Sequence, residues 1–197
     1  MELPSEFLWL AFEDGRRFTK GGGEIAMECR DAGTLVLPTG RLVACDPVFN
    51  LAPPPFEVHV EPGAYPTFLS LAFGAVALVM IQFGEGTPTR WVTHSSELCD
   101  VDSASACFMD AKLCRLLLRR SEQGKWDVQQ KRIKDAMIEN GGRWGNVCLH
   151  ADSGANMLVF QTFGGDGSFA TYWGYSSRGE LVCAIMDMFL QDGAEAV

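Results

Sequence analysis

Four aspartates and one arginine have side chains of the types that bind ligands or transfer protons. They are Arg41, Asp46, Asp102, Asp110 and Asp166. Carboxylates that converge could form a two-acid site or hold a cation, and a nearby arginine could clamp an anion. Aspartate is also common in turns and helix caps, which suits Asp46 before Pro47 and Asp102 before a predicted helix entry at residues 103–105. We therefore keep these five residues as an alternative ligand site.

The glycine-rich segment at residues 163–169 (FGGDGSF) could also bind a ligand. Successive glycines can present backbone N–H groups to an anion, and Asp166 could be a metal ligand or a base. A phosphate loop would require a following GK[ST] motif and a helix, and the sequence indicates neither. Asp-Gly between apolar runs is typical of a hairpin turn, which we predict here.

Histidine and cysteine could supply metal ligands or a nucleophile. His59, His94 and His150 are far apart and lack the spacing of a zinc site. Cys45 or Cys148 could act as a nucleophile with His59 or His150 as its base, because such pairs assemble in space. The seven cysteines include no CxxC pair and stand mostly in apolar runs, which is typical of buried thiols in a reducing compartment. We predict a cytoplasmic protein with no metal and no cofactor.

The overall charge limits the classes of partner. With 25 acidic and 16 basic side chains the formal net charge is −9, which repels nucleic acid and anionic lipid and favours a basic protein. We expect neither nucleic acid nor a membrane as a partner. The acidic residues expected to bind the partner are Glu57, Glu61, Glu85, Glu97 and Asp100. We interpret the basic run of Arg115, Arg119 and Arg120 as the solvated face of a helix.

Glycine and proline divide the chain into short β-rich runs. Residues 34–37 and 41–45 flank a Pro-Thr-Gly turn, which predicts a hairpin. Residues 56–60 alternate in the period of a half-buried strand. Further strands are predicted at residues 67–73, 76–83, 91–93, 146–149, 157–162, 168–173 and 181–186.

Helical spacing occurs between residues 105 and 140. The first helix is predicted with Ser105 as its cap, and the second over residues 126–140 with Gly141 and Gly142 at its end. The periodic side chains of the first helix are Cys107, Ala111, Cys114 and Leu118. We predict an α+β fold that is predominantly β, with antiparallel sheets arranged as a sandwich or meander and two helices inserted near 105–140. A single domain over residues 1–197 is expected.

Several motifs carry a resemblance to a known family. They are LPTGRLVACDP at 37–47, PGAYP at 62–66, VDS at 101–103 with Asp110, and GDGSF at 165–169 leading to YWG at 172–174. With them the chain resembles a bacterial family named domain of unknown function 4241, over about residues 33–187, with 1–32 as an N-terminal segment. The resemblance implies a fold but no activity. The family typically has a glycine after Val-Asp-Ala, where this chain reads VDSAS, so we expect that loop to differ.

Two hypotheses for the function stay open, and whether the chain is an enzyme is not decided by its sequence. We favour a non-enzymatic protein-binding domain, most concretely an immunity or antitoxin-like protein that neutralises a basic bacterial toxin, because the chain is acidic and offers few catalytic groups. The alternative is an enzyme or small-ligand-binding protein, in which the aspartate loops and Arg41 should line one pocket.

Overall fold

A computed structural model describes residues 6–94 and 97–190 and the strand Glu195–Ala196. Within this part the chain forms two antiparallel sheets and three α-helices. In chain order the elements are α1 (Glu6–Leu10), β1 (Arg17–Lys20), β2 (Gly23–Leu37), β3 (Leu42–Cys45), β4 (Gly63–Ala72), β5 (Ala75–Gln82), β6 (Arg90–Val92), β7 (Leu98–Val101), β8 (Ser105–Asp110), α2 (Ala111–Glu122), α3 (Trp126–Ile138), β9 (Trp144–His150), a 3-10 turn (Ala151–Ser153), β10 (Ala155–Gln161), β11 (Gly167–Tyr175), β12 (Leu181–Asp187) and β13 (Glu195–Ala196).

The two sheets pack face to face around a central core. The larger sheet has the order β13-β1-β2-β4-β5-β12-β11-β6, with β7 paired to β11, and the smaller has the order β3-β8-β10-β9. Ile81 and Trp173 of the larger sheet share one buried cluster with Phe108 and Phe160 of the smaller sheet. This sandwich-like arrangement of antiparallel sheets confirms the predicted fold class. Central strands such as β5 and β12 are buried along almost their whole length, because their outer faces are covered as well.

Helices cover the outer faces of the sandwich. Leu8 of α1 packs with Phe18 on the outer face of the larger sheet. Leu117 of α2 and Ile133 of α3 pack on the outer face of the smaller sheet. Among the described residues, no helix has both the length and the apolar composition needed to span a membrane.

The predicted hairpin at residues 34–45 is wrong, because its turn joins the two sheets. β2 runs to Leu37 and pairs with β4, whereas β3 pairs with β8. The turn itself is present: Gly40 has φ +67°, and a Cβ there would lie 1.9 Å from the Val60 carbonyl oxygen. All four residues of β3 are buried. The strand is therefore covered on both of its faces, which an isolated two-stranded hairpin could not achieve.

The predicted Asp-Gly hairpin is wrong for the same reason. Its flanking strands β10 and β11 belong to different sheets. The left-handed residues of the connection are Gly164 (φ +85°) and Gly165 (φ +95°), not the Asp-Gly pair. The predicted strand at 56–60 also fails to form, because the segment makes only an isolated bridge between His59 and Arg41.

The first helix begins later than predicted. Residues 105–110 form strand β8, and Asp110 rather than Ser105 caps α2. Residues 106–109 of β8 are a buried apolar run, and so short a run fits a strand and a helix equally well. The second helix is confirmed: α3 starts at Trp126, and the glycines after it have positive φ. The remaining predicted strands are also confirmed, as β4, β5, β6, β9, β10, β11 and β12.

Candidate functional site

The Asp46 carboxylate lies directly after β3 and joins two loops. Its Oδ1 accepts hydrogen bonds from the N–H groups of Val48 (2.7 Å) and Phe49 (3.0 Å). Across the gap, the Ser103 hydroxyl donates to Oδ1 and the Asp102 N–H donates to Oδ2, both at 2.9 Å. Burial raises the pKa of Asp46, but these hydrogen bonds together outweigh it and hold the pKa below its ordinary value. The charged carboxylate therefore fixes both loops.

The turn between β7 and β8 is held from a second side by Asp166. Asp166 Oδ1 accepts a hydrogen bond from the Ala104 N–H at 2.9 Å. Ala104 has φ +52°, a left-handed conformation that glycine adopts more readily than alanine. Alanine thus adopts a conformation that glycine favours, at the position where the family resemblance implies a glycine. Asp46, Asp102 and Asp166 consequently meet at one turn.

Asp110 and Arg41 lie at the opposite end of the β3/β8 pair, about 17 Å away along β8 at the usual rise of a strand. The buried Asp110 carboxylate accepts hydrogen bonds from the N–H and hydroxyl of Thr39, each at 2.8 Å, and from the Lys112 N–H at 2.7 Å. Arg41 is exposed, and its carbonyl accepts from the Ala111 N–H at 2.8 Å. The structure thus brings three of the five alternative ligand-site residues together and places the other two elsewhere.

β7 carries an outward row of side chains that leads to this turn. Leu98 and Asp100 on β7 and Asp102 just after it are exposed, whereas Cys99 and Val101 between them are buried. Successive strand side chains point to opposite faces, which produces this alternation. Burial, with the charges of Asp46 and Asp100, raises the pKa of Cys99 to about 12, so its thiol is protonated at neutral pH.

Of the five predicted partner-binding acids, Asp100 lies in this row, and Glu97 directly precedes β7 with Glu57 beside it. Asp100 accepts a hydrogen bond from the Ser168 hydroxyl at 2.5 Å, and Glu97 accepts one from the Glu57 N–H at 2.5 Å. The other two are elsewhere: Glu61 lies just before β4, and Glu85 lies in the loop between β5 and β6.

Two apolar side chains project from the loop that Asp46 fixes. Val48 is 45% exposed and Phe49 is 69% exposed. Neither residue was predicted as a site residue from the sequence, although an apolar pair directly after an Asp-Pro turn is a usable signal. We use the name acidic face for the surface formed by Val48, Phe49, Leu98, Asp100, Asp102 and Asp166. Exposed aromatic groups with a polar rim are typical of protein-binding surfaces.

The cysteines that could act as nucleophiles are not paired with histidine in the described residues. Cys45 is buried with its Sγ 3.5 Å from Cys107 Sγ, and this hydrogen bond, with burial, raises the pKa of Cys45 well above its ordinary value. All seven cysteines are free and five are buried, as predicted for most of them. In the described part of the chain, no group of three or more His, Cys, Asp or Glu is placed to hold a metal ion.

The match to a protein family includes the acidic face and the Asp110 end of β8. Residues 35–186 match a family described as protein of unknown function (DUF4241). The chain belongs to this family. The DUF4241 match runs from β2 into β12, so it contains the smaller sheet, α2, α3 and the turn at which Asp46, Asp102 and Asp166 meet. It confirms the resemblance inferred from the motifs. No curated protein and no solved structure matches the chain.

Proposed function

We propose that this DUF4241 protein is a non-enzymatic protein-binding domain of the immunity or antitoxin kind, which binds a basic bacterial toxin through the acidic face. The observation that carries the proposal is the exposed Phe49 side chain on a loop fixed by the buried Asp46 carboxylate. Because the backbone of Phe49 is already held by the Asp46 carboxylate, ordering this loop on binding costs less conformational entropy. Aromatic side chains of this kind often supply much of the binding energy of an interface.

The charge around Phe49 supports a basic partner. Asp100 and Asp102 are exposed beside the loop, and none of the ion pairs among the described residues involves either of them or Asp166. Their charges are therefore available to a cationic surface, where complementary charge speeds encounter and selects the partner. The net charge of −9 adds a longer-range attraction.

The alternative ligand site has weaker support. The carboxylates of Asp46 and Asp110 are buried and already accept hydrogen bonds from backbone and hydroxyl donors. A ligand or cation there would have to displace bonds that hold the fold. Binding by Asp102, Asp166 and Arg41 stays a prediction.

Co-expression tests the proposed function. The second protein is the product of the neighbouring reading frame, chosen where that frame encodes a toxin domain. We expect this chain to restore growth in cells that express the toxin and to co-purify with it, because an immunity protein acts by binding. A chain that neither restores growth nor co-purifies would contradict the proposal.

A further inference from the structure

A small cavity lies between α2 and the turn that joins β9 to β10, at the Asp110 end of β8 and away from the acidic face. Its volume is about 70 Å³, enough for several water molecules or one small oxyanion. Leu113 and Ala155 are buried and form an apolar floor. The polar groups that line it are Lys112, Arg119, His150 and Ser153.

The two cations at the cavity have no anionic partner among the described residues. Lys112 and Arg119 are seven residues apart on α2, which places them on the same side of the helix two turns apart. Neither side chain forms an ion pair or a hydrogen bond in the described part of the chain. Arg120 differs, because its Nη1 donates to the Leu149 carbonyl at 3.4 Å. The nearby Asp110 carboxylate is occupied by Thr39 and the Lys112 N–H.

The His150–Ser153 pair supplies a further donor to the cavity. His150 Nδ1 lies 2.7 Å from Ser153 Oγ, and Oγ also accepts a hydrogen bond from the Ala155 N–H at 3.3 Å. If the hydroxyl donates to Nδ1, the ring carries its hydrogen on Nε2. If Nδ1 donates to the hydroxyl oxygen, the hydroxyl hydrogen is unused. In either arrangement one polar hydrogen is left for a ligand.

We propose that this cavity binds an oxyanion, namely a phosphate group, either as inorganic phosphate or as part of a small phosphate ester. Ammonium and guanidinium groups are donors only, so the ligand must supply acceptors and negative charge. A phosphate group matches two cations better than a singly charged carboxylate does. This site is independent of the proposed function, because it involves no residue of the acidic face.

Calorimetric titration of the purified full chain tests the site. The probes are inorganic phosphate, glycerol 3-phosphate and acetate, each at one ionic strength set with sodium chloride. We expect saturable binding of both phosphate compounds and none of acetate. Tighter binding of glycerol 3-phosphate would identify a phosphate ester as the ligand type, and tighter or equal binding of inorganic phosphate would identify the free anion. Absence of saturable binding by both would overturn the proposal.

Single substitutions on α2 locate the binding. Lys112→Gln and Arg119→Gln should each weaken phosphate binding about tenfold or more, the usual effect of losing a charged hydrogen-bond donor. Arg115→Gln is the matched control, because Arg115 is exposed on the same helix and does not line the cavity. Circular dichroism and urea midpoints check that every variant is folded, and Arg119→Lys should retain part of the affinity. Equal losses in Arg115→Gln and Arg119→Gln would show non-specific attraction and overturn the site.

Discussion

At the scale of single residues, the Asp46 side chain holds two loops of the described structure together. Its oxygen atoms accept four hydrogen bonds from two chain segments that are more than 50 residues apart. The bonds fix the backbone of Val48 and Phe49, whose exposed side chains are, with Leu98, the apolar part of the acidic face. Asp46 is therefore a positioning residue, and its loss should be detected first as a loss of stability.

Asp46→Asn should lower the free energy of unfolding by about 1 to 3 kcal/mol, because the new amide group would face an N–H or O–H donor. Urea denaturation at pH 7 measures this decrease in the free energy of unfolding.

The effect of Asp46→Asn should also depend on pH. The folded-state pKa of Asp46 is lowered, so its carboxylate contributes fully to the free energy of unfolding above the unfolded pKa of about 4. That contribution is lost as the pH falls through the folded pKa, and the difference from wild type should shrink in acid.

Asp102→Asn is the control for Asp46→Asn. The Asp102 carboxylate is exposed and accepts no hydrogen bond from a described residue, whereas its backbone N–H, which binds Asp46, is kept. This variant should unfold at the wild-type urea concentration. If both variants lose the same stability, the Asp46 bonds do not hold the loops.

At the scale of elements, Asp110 connects strand β8, helix α2 and the turn between β2 and β3. It ends β8, caps α2 through the Lys112 N–H, and holds the turn after β2 through Thr39. The same carboxylate thus fixes the orientation of the helix that carries Lys112 and Arg119. Helix caps and buried hydrogen bonds both contribute to stability, so several terms are lost together if Asp110 is removed.

Asp110→Ala should lower the free energy of unfolding by about 2 to 4 kcal/mol, the sum of a lost cap and unsatisfied Thr39 donors. Asp110→Asn keeps a capping oxygen and should lose about half as much. Thermal or urea unfolding followed at a helical wavelength measures both. An alanine variant as stable as wild type would contradict the role of Asp110 in joining these elements.

The positions of strands and helices were easier to predict from the sequence than the pairing of strands within the sheets. The β4 and β5 strands were recognisable as apolar runs on either side of Gly74, and α3 was recognisable by its helical spacing and by the glycines after it. The turns at residues 38–40 and 163–167 were recognised as turns, but glycine and proline fix only the local backbone direction. Whether the strand after a turn pairs with the strand before it depends on which distant strands it can pack against. Here the first turn leads from β2 of the larger sheet to β3 of the smaller, and the second leads from β10 of the smaller sheet to β11 of the larger.

For the candidate site, the residue types were partly predictable and their grouping was not. The convergence of Asp46, Asp102 and Asp166 requires that the end of β3 lies near the starts of β8 and β11, which no local pattern encodes. The predicted partner-binding acids were selected by charge alone, and in the structure Asp100 is part of the acidic face whereas the exposed Glu85 lies in the loop between β5 and β6. Phe49 was missed because an exposed aromatic residue looks like a core residue in sequence.

At the scale of the whole molecule, the net charge of −9 conceals two regions of opposite character. The acidic face lies at one end of the β3/β8 pair, and the cavity with Lys112 and Arg119 lies at the other. Long-range attraction of a basic protein would follow the net charge, whereas close binding depends on the local groups. The acidic face is therefore expected to select the partner through Phe49 and the charges beside it.

The most direct test measures the affinity of the co-purified partner for four single variants. Phe49→Ser and Asp102→Lys alter the acidic face. Phe73→Ser and Glu85→Lys alter exposed side chains outside it. We expect the first two to raise the Kd at least about tenfold, with the effect of Asp102→Lys decreasing as salt increases, and the other two to leave the Kd within about twofold of wild type. Equal losses in all four variants, or no loss in any, would contradict binding through the acidic face.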